Sequence, residues 1–191
     1  MNKPKYNKEI IELPLQFIKK AAVFSFSVPN GGEGRWEALH VTNLSPVVVA
    51  LTDSGNIILL RMFRFPVEDF VYELPGGSSN KGEALTDAVR RELLEETGYE
   101  IRGNLEALTE CYLYNGKTNA KAAIFLATKC RKVKEPEHDA VERYVGVETL
   151  EVTVDEVIAQ ISSDEGFRYD PVIGHAVTCL LGRGLVKYNP K

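Results

Sequence analysis

The stretch GGSSNKGEALTDAVRRELLEETGY (76–99) constrains this chain more than any other. Its middle is rich in Ala, Leu, Glu and Arg and it closes on Gly98, a natural helix stop, so a helix is expected over 82–97. At about 100° per residue, Ala84, Leu85, Ala88, Val89 and Leu93 fill one half of that helix. Glu92 and Glu96 project into the same half, and Glu95 lies about 60° from Glu92. These acids therefore face the protein. They also occupy the last two turns, where the helix dipole opposes each carboxylate by about 0.3–1 kcal/mol. An ordinary acidic helix turns such residues to solvent and pairs them at i,i+4, as Arg91 can pair with Glu95. Crowded inward carboxylates are costly to bury without a counterion, and a divalent cation relieves both problems. Oxygen ligands suit a hard ion, Mg²⁺ or Mn²⁺. No His or Cys occurs between residues 41 and 110, which removes the usual zinc ligands. Glu92 and Glu96, one turn apart, can grip one cation together, and the Gly76–Gly77 turn lets backbone carbonyls approach.

The rest of the chain reads mostly as hairpins. AAVFSFSV (21–28) and RWEALHVT (35–42) flank a glycine-rich turn at 29–34, and residues 1–20 read as a loosely held lead-in. SPVVVAL (45–51) is β-branched enough to be buried on both faces, and it pairs across TDSGN with NIILLRMF (56–63). A short strand runs through FVYELPGG (70–77), with further strands expected near 104–113, 121–129 and 143–152. Thr153 and Glu156 form a capping box for a helix over 154–163, and Asp170–Pro171 opens a last apolar helix that ends near Gly184. Strands outnumber helices, so the expected class is α+β, a mixed sheet flanked by helices in an α/β/α sandwich with an N-terminal β-hairpin extension.

With 191 residues, one main domain is the default. A formal charge of −4 gives no electrostatic reason to bind nucleic acid or an anionic membrane. No apolar run reaches the ~18 residues of a membrane helix, and the charged N-terminus, broken by Pro4 and Pro14, lacks a signal-peptide core. Cys111, Cys130 and Cys179 stand far apart and odd in number, as free thiols in a reducing, cytoplasmic setting do.

Gly77, Glu83 and Arg91-Glu92-Leu93-Leu94-Glu95-Glu96-Thr97-Gly98-Tyr99 resemble the Nudix box, G-x5-E-x7-R-E-U-x-E-E-x-G-U, at every fixed position. Tyr99 stands where a smaller aliphatic is usual. NIILLRMFRFPVEDFVYELPGG extends the resemblance to the ADP-ribose pyrophosphatase and nucleoside diphosphate sugar branch of Nudix hydrolases. That resemblance implies a Mg²⁺-dependent hydrolase that splits the diphosphate of a substrate such as ADP-ribose into a nucleoside monophosphate and a sugar phosphate. It implies a catalytic domain over 45–191, with residues 1–44 as an extension that pairs two copies into a homodimer.

The resemblance also implies roles. Glu92, Glu95, Glu96 and the Gly76 carbonyl would hold metal. Glu83 would orient Arg91, and Gly77 and Gly98 would shape the motif. Arg61, Arg64, Glu73 and Tyr114 would meet substrate. The acidic segment KEPEHDAVE (134–142) would supply a general base, Glu142 or Glu137. In YLYNGKTNAK (112–121), Asn115 and Ala120 stand where the branch has a proline and a glutamate. Two other readings stay open: a hydrolase of dinucleoside polyphosphates or nucleotide triphosphates, and a non-catalytic Nudix-like nucleotide-binding domain.

Overall fold

The computed structural model describes residues 5–14, 20–28, 32–41, 44–163 and 168–188. The chain divides into two compact units, 1–44 with 112–121, and 45–111 with 122–191.

The first unit is built on three antiparallel strands in the order β1-β2-β3: β1 (Asn7–Glu12), β2 (Lys20–Val28) and β3 (Gly32–Leu39). The expected hairpin is β2 with β3; of the turn expected over 29–34, Gly32, Glu33 and Gly34 already pair with β2, and 29–31 lie outside the described residues. The lead-in expectation needs correction, because β1 forms a six-residue ladder with β2 from Asn7–Ser25 to Glu12–Lys20. All of β1 is exposed, so its sequence shows no buried period and the backbone ladder alone defines it. Asn119 clips this unit together, donating to the Val41 carbonyl and accepting from the Val41 amide, each at 2.7 Å.

The second unit holds a seven-stranded mixed sheet. It contains β4 (Ser45–Thr52), β5 (Ile57–Arg64), β6 (Asp69–Glu73), β7 (Tyr99–Ile101), β8 (Leu105–Tyr112), β9 (Lys121–Lys132) and β10 (Glu148–Val152). The main path is β10-β5-β4-β9-β7, with β6 on β5 and β8 on β9. The β4–β9 pair is parallel, whereas β4–β5, β5–β6, β5–β10 and β7–β9 are antiparallel. Val48, Val49 and Ala50 are buried, as are Ile57, Ile58, Leu59 and Leu60, so β4 and β5 are covered on both faces. Among the described residues four helices, α1 (Leu85–Thr97), α2 (Ala140–Val145), α3 (Val154–Ile161) and α4 (Pro171–Gly182), flank the sheet. α1 packs on β4 and β7 through Ala88, Val89 and Leu93, α2 packs on β5, and α3 packs on α4.

Several boundaries differ from expectation for physical reasons. α1 begins at Leu85 and not at 82, because Gly82 has φ +82 and Glu83 folds back on Asn80. The strand expected over 143–152 starts only at Glu148. Asp139 caps Val141 and Glu142 and starts α2 there, while Gly146 at φ +68 ends it. β7 and a 3₁₀ turn at Phe65–Val67 are too short for a pattern to register. The Thr153–Glu156 capping box and the Asp170 cap stand as read, although α3 ends at Ile161.

Candidate active site

Pro75–Gly77 hugs β4. The Val48 amide donates to Pro75 O at 2.9 Å and the Gly77 amide to Pro46 O at 3.2 Å. Gly76 must be glycine, because a Cβ there would strike the Pro46 carbonyl and lie 2.7 Å from Val47 Cα. A Cβ on Gly77 would lie 2.6 Å from Glu92 Oε1. The two glycines thus let backbone close on the acidic face of α1. The contact formed by Gly76 is through its amide, which donates to Glu96 Oε2 at 2.9 Å.

Arg91 organises the acids around it. Its Nε and Nη2 fork onto Glu83 Oε1 and Oε2 at 2.9 and 3.0 Å. Its Nη1 reaches Glu92 Oε1 at 2.9 Å and Glu95 Oε2 at 3.2 Å, and Nη2 also donates to the Ser78 carbonyl at 3.1 Å. The guanidinium beside it pulls the Glu83 carboxyl down to about 2. Burial pushes Glu92 upward, against the pull of Arg91. Glu96 takes no hydrogen bond from Arg91; the cation that interacts with it is Arg64, itself forked onto Glu73. Burial, then the like charges of Glu92, Glu142 and Glu73, push the Glu96 carboxyl up to about 8, against the hydrogen bond from the Gly76 amide. The structure therefore brings Glu92, Glu95, Glu96 and Glu142 together around the end of α1. Glu137 turns away to Lys134 Nζ at 2.6 Å.

Arg64 lies beside this cluster, forked onto Glu73 by Nε–Oε1 at 2.6 Å and Nη2–Oε2 at 2.5 Å. The pairing with Glu73 holds the guanidinium firmly charged. Both line a cavity of about 800 Å³ with Val71, Asp170, Gly174 and His175. Arg61 is engaged elsewhere, by Glu148 at 3.0 Å and by the Phe70 ring with its centroid at 3.9 Å. Tyr114 belongs to the first unit, exposed at φ +49 in a turn where the Lys117 amide donates to its carbonyl.

Two residues were not singled out by the sequence. Asp170, expected only as a helix cap, sits half-buried near Glu73 and Arg64, and the loss of solvent raises its carboxyl. His138 Nε2 stands 3.0 Å from the Glu96 carbonyl. Its place in an acidic loop after the last long strand was the only signal available.

Among the described residues, no three Asp, Glu, His or Cys side chains stand close enough to close a metal shell as they are. The donor chemistry nonetheless fits a hard cation. Glu92 and Glu96 offer oxygen only, and Glu96 is an inward carboxyl among like charges that no ion pair among the described residues answers.

Two glycines that admit backbone, an arginine hub and an acidic helix end thus make a site of oxygen donors suited to a hard cation. The chain belongs to the Nudix family: the NUDIX domain model matches residues 42–169. It is 31% identical over 153 residues to an ADP-ribose pyrophosphatase of Bacillus subtilis (strain 168), covering 80% of each chain. It is 27% identical over 144 residues to a methanol dehydrogenase activator of Bacillus methanolicus, covering 75% of this chain and 76% of that one. A crystal structure of an ADP compounds hydrolase shares the fold, with TM-score 0.76 and 17% identity over 97% of this chain and 98% of the other.

Proposed function

We propose that this chain is a Mg²⁺- or Mn²⁺-dependent pyrophosphohydrolase of a nucleoside diphosphate sugar, ADP-ribose or a close relative. It would release a nucleoside monophosphate and a sugar phosphate. The observation that carries this reading is Glu96, a largely enclosed carboxyl beside Glu92 and Glu142 that no ion pair among the described residues answers. The similarity to an ADP-ribose pyrophosphatase over most of both chains supports the choice of substrate.

Glu92 and Glu96, joined by Glu95, would hold the cation, and the Gly76 carbonyl would face it. When bound, the cation supplies charge neutralisation at the diphosphate and an acidified water. The chain's own residues do the rest. Arg91, braced by Glu83 and Ser78, fixes the rotamers of Glu92 and Glu95. Arg64 offers phosphate a planar fork, and substrate phosphate would compete with Glu73 for it. Glu142 keeps one carboxylate oxygen on the Asp139 amide at 2.7 Å, which leaves the other to take a proton from the attacking water.

The first unit would pair two copies. Ile10 and Trp36 on one face of its sheet, and Ile11 and Leu39 on the other, are exposed apolar groups that a second subunit would cover in part. Light scattering should return twice the chain mass, and a monomer would remove the pairing. Three free cysteines suit a reducing compartment.

A substrate panel with Mg²⁺, its products weighed by mass spectrometry, tests the function. AMP plus ribose 5-phosphate from ADP-ribose is expected. Cleavage confined to dinucleoside polyphosphates or nucleotide triphosphates would redirect the reading, and no turnover with intact nucleotide binding would make the chain a binding domain.

A further inference from the structure

We propose that His138 is a positioning residue that clamps the last turn of α1 to the segment carrying Glu142. It thereby sets where the Glu92–Glu96 pair stands relative to that third carboxylate. The inference rests on the hydrolase reading above.

The last carbonyls of any helix lack partners within it. At the end of α1 those groups are taken by one loop. The Glu137 amide donates to Glu95 O at 2.7 Å, and the Val133 amide donates to Gly98 O at 2.9 Å. His138 Nε2 meets Glu96 O at 3.0 Å. A carbonyl only accepts, so Nε2 carries the hydrogen. Thr149 Oγ1 also points at Glu96 O, but at 3.5 Å it is too long to do the same work.

The other side of His138 is fixed as well. Its carbonyl accepts from the Arg143 guanidinium, one turn into α2. The next residue, Asp139, caps α2, and Glu142 closes that cap by accepting from the Asp139 amide at 2.7 Å. A short covalent and hydrogen-bonded path thus runs from the Glu96 backbone through the imidazole to the Glu142 carboxylate. α2 has six residues and buries none, so its contact with β5 gives little packing to hold that path in place. Glu137 is already spent on its Lys134 pair, which leaves His138 as the side chain of the loop that reaches the catalytic helix.

Errors of about 1 Å in a reacting constellation cost about 10²-fold in rate. His138→Ala should therefore lower kcat by about 10- to 100-fold at saturating Mg²⁺, because the imidazole acts through the carboxylates it places. KM should stay within about threefold of wild type, because Arg64 and its cavity are untouched. His138→Gln, whose amide nitrogen can donate to the same carbonyl, should recover most of the loss. Amide hydrogen exchange at Glu137, Val141 and Glu142 gives a readout independent of turnover. It should speed up in the Ala variant and return toward wild type in the Gln variant.

Unchanged kcat in His138→Ala would overturn the proposal, as would a Gln variant that behaves like Ala in both rate and exchange. A wild-type chain that hydrolyses nothing in the panel would overturn the hydrolase reading instead. The clamp itself is then decided by exchange, and identical protection in wild type and His138→Ala would overturn it.

Discussion

Arg91 and Glu96 divide the problem of packing acids against one helix. Arg91 answers Glu83, Glu92 and Glu95 with a single guanidinium, while Glu96 is left with one backbone amide. Glu96→Gln keeps an acceptor for that amide but loses a charged oxygen ligand. Turnover should fall at least about 10²-fold, by analogy with loss of one preorganised electrostatic contact. Without metal the same variant should melt higher, by about 2–4 °C for each kcal/mol of burial and like-charge cost removed. A lower metal-free melting temperature in calorimetry would count against the crowding argument. Glu83 makes a prediction of the opposite sign. Its carboxyl is drawn from 4.5 to about 2 by Arg91, so the folded state holds fewer protons than the unfolded one between those values. The resulting stability is fully present above about pH 4.5 and is lost as pH falls toward 2. Glu83→Gln removes that contribution. Urea melts from pH 6 to pH 2.5 should show the wild-type curve converging on the variant as acid is added, and parallel curves would reject the linkage.

Elements with a buried period were legible, and elements without one were not. α1, the β2–β3 and β4–β5 hairpins and both late caps announce themselves because apolar spacing or cap chemistry repeats within a single window. β1 is exposed along its whole length and α2 buries nothing, so each exists through backbone pairing or a cap that only the fold supplies. The same division holds at the site. Glu92, Glu95 and Glu96 could be placed on one helix end from spacing alone. The partners of that end, Glu137 and His138, come from some forty residues away and carry no periodic mark. Gly98 links the two scales. Its φ of +75 ends α1, and a Cβ would run into the Lys134 carbonyl of the docking loop. Gly98→Ala should therefore exceed the about 1–2 kcal/mol of left-handed strain alone. A loss of 2 kcal/mol or more in urea titration is the expected result, together with reduced turnover, because the loop that carries Glu142 must retreat.

Across the molecule, burial is uneven. Among the described residues of 1–44, only Ala22 and Val23 are buried hydrophobics, whereas β4, β5 and β9 hold residues with almost no exposure. A three-stranded sheet with so little core opens easily unless something covers it. Amides of β1 should exchange through local opening at low free energy, and those of Ile57–Leu60 only through unfolding of the unit that contains them. That difference turns cation binding into a test of where the site lies. A ligand present at about 100 times its dissociation constant stabilises the state that binds it by about 2.7 kcal/mol. If Mn²⁺ is held by Glu92 and Glu96, exchange at Ile57–Leu60 should slow by about 10²-fold at that concentration, since those amides report the global free energy of their unit. Exchange in β1 should barely change, because its opening leaves the carboxylates of α1 undisturbed. Glu96→Gln should abolish the slowing without altering the β1 rates. Uniform slowing of both sheets, or slowing that survives the substitution, would place the cation away from the acidic end of α1.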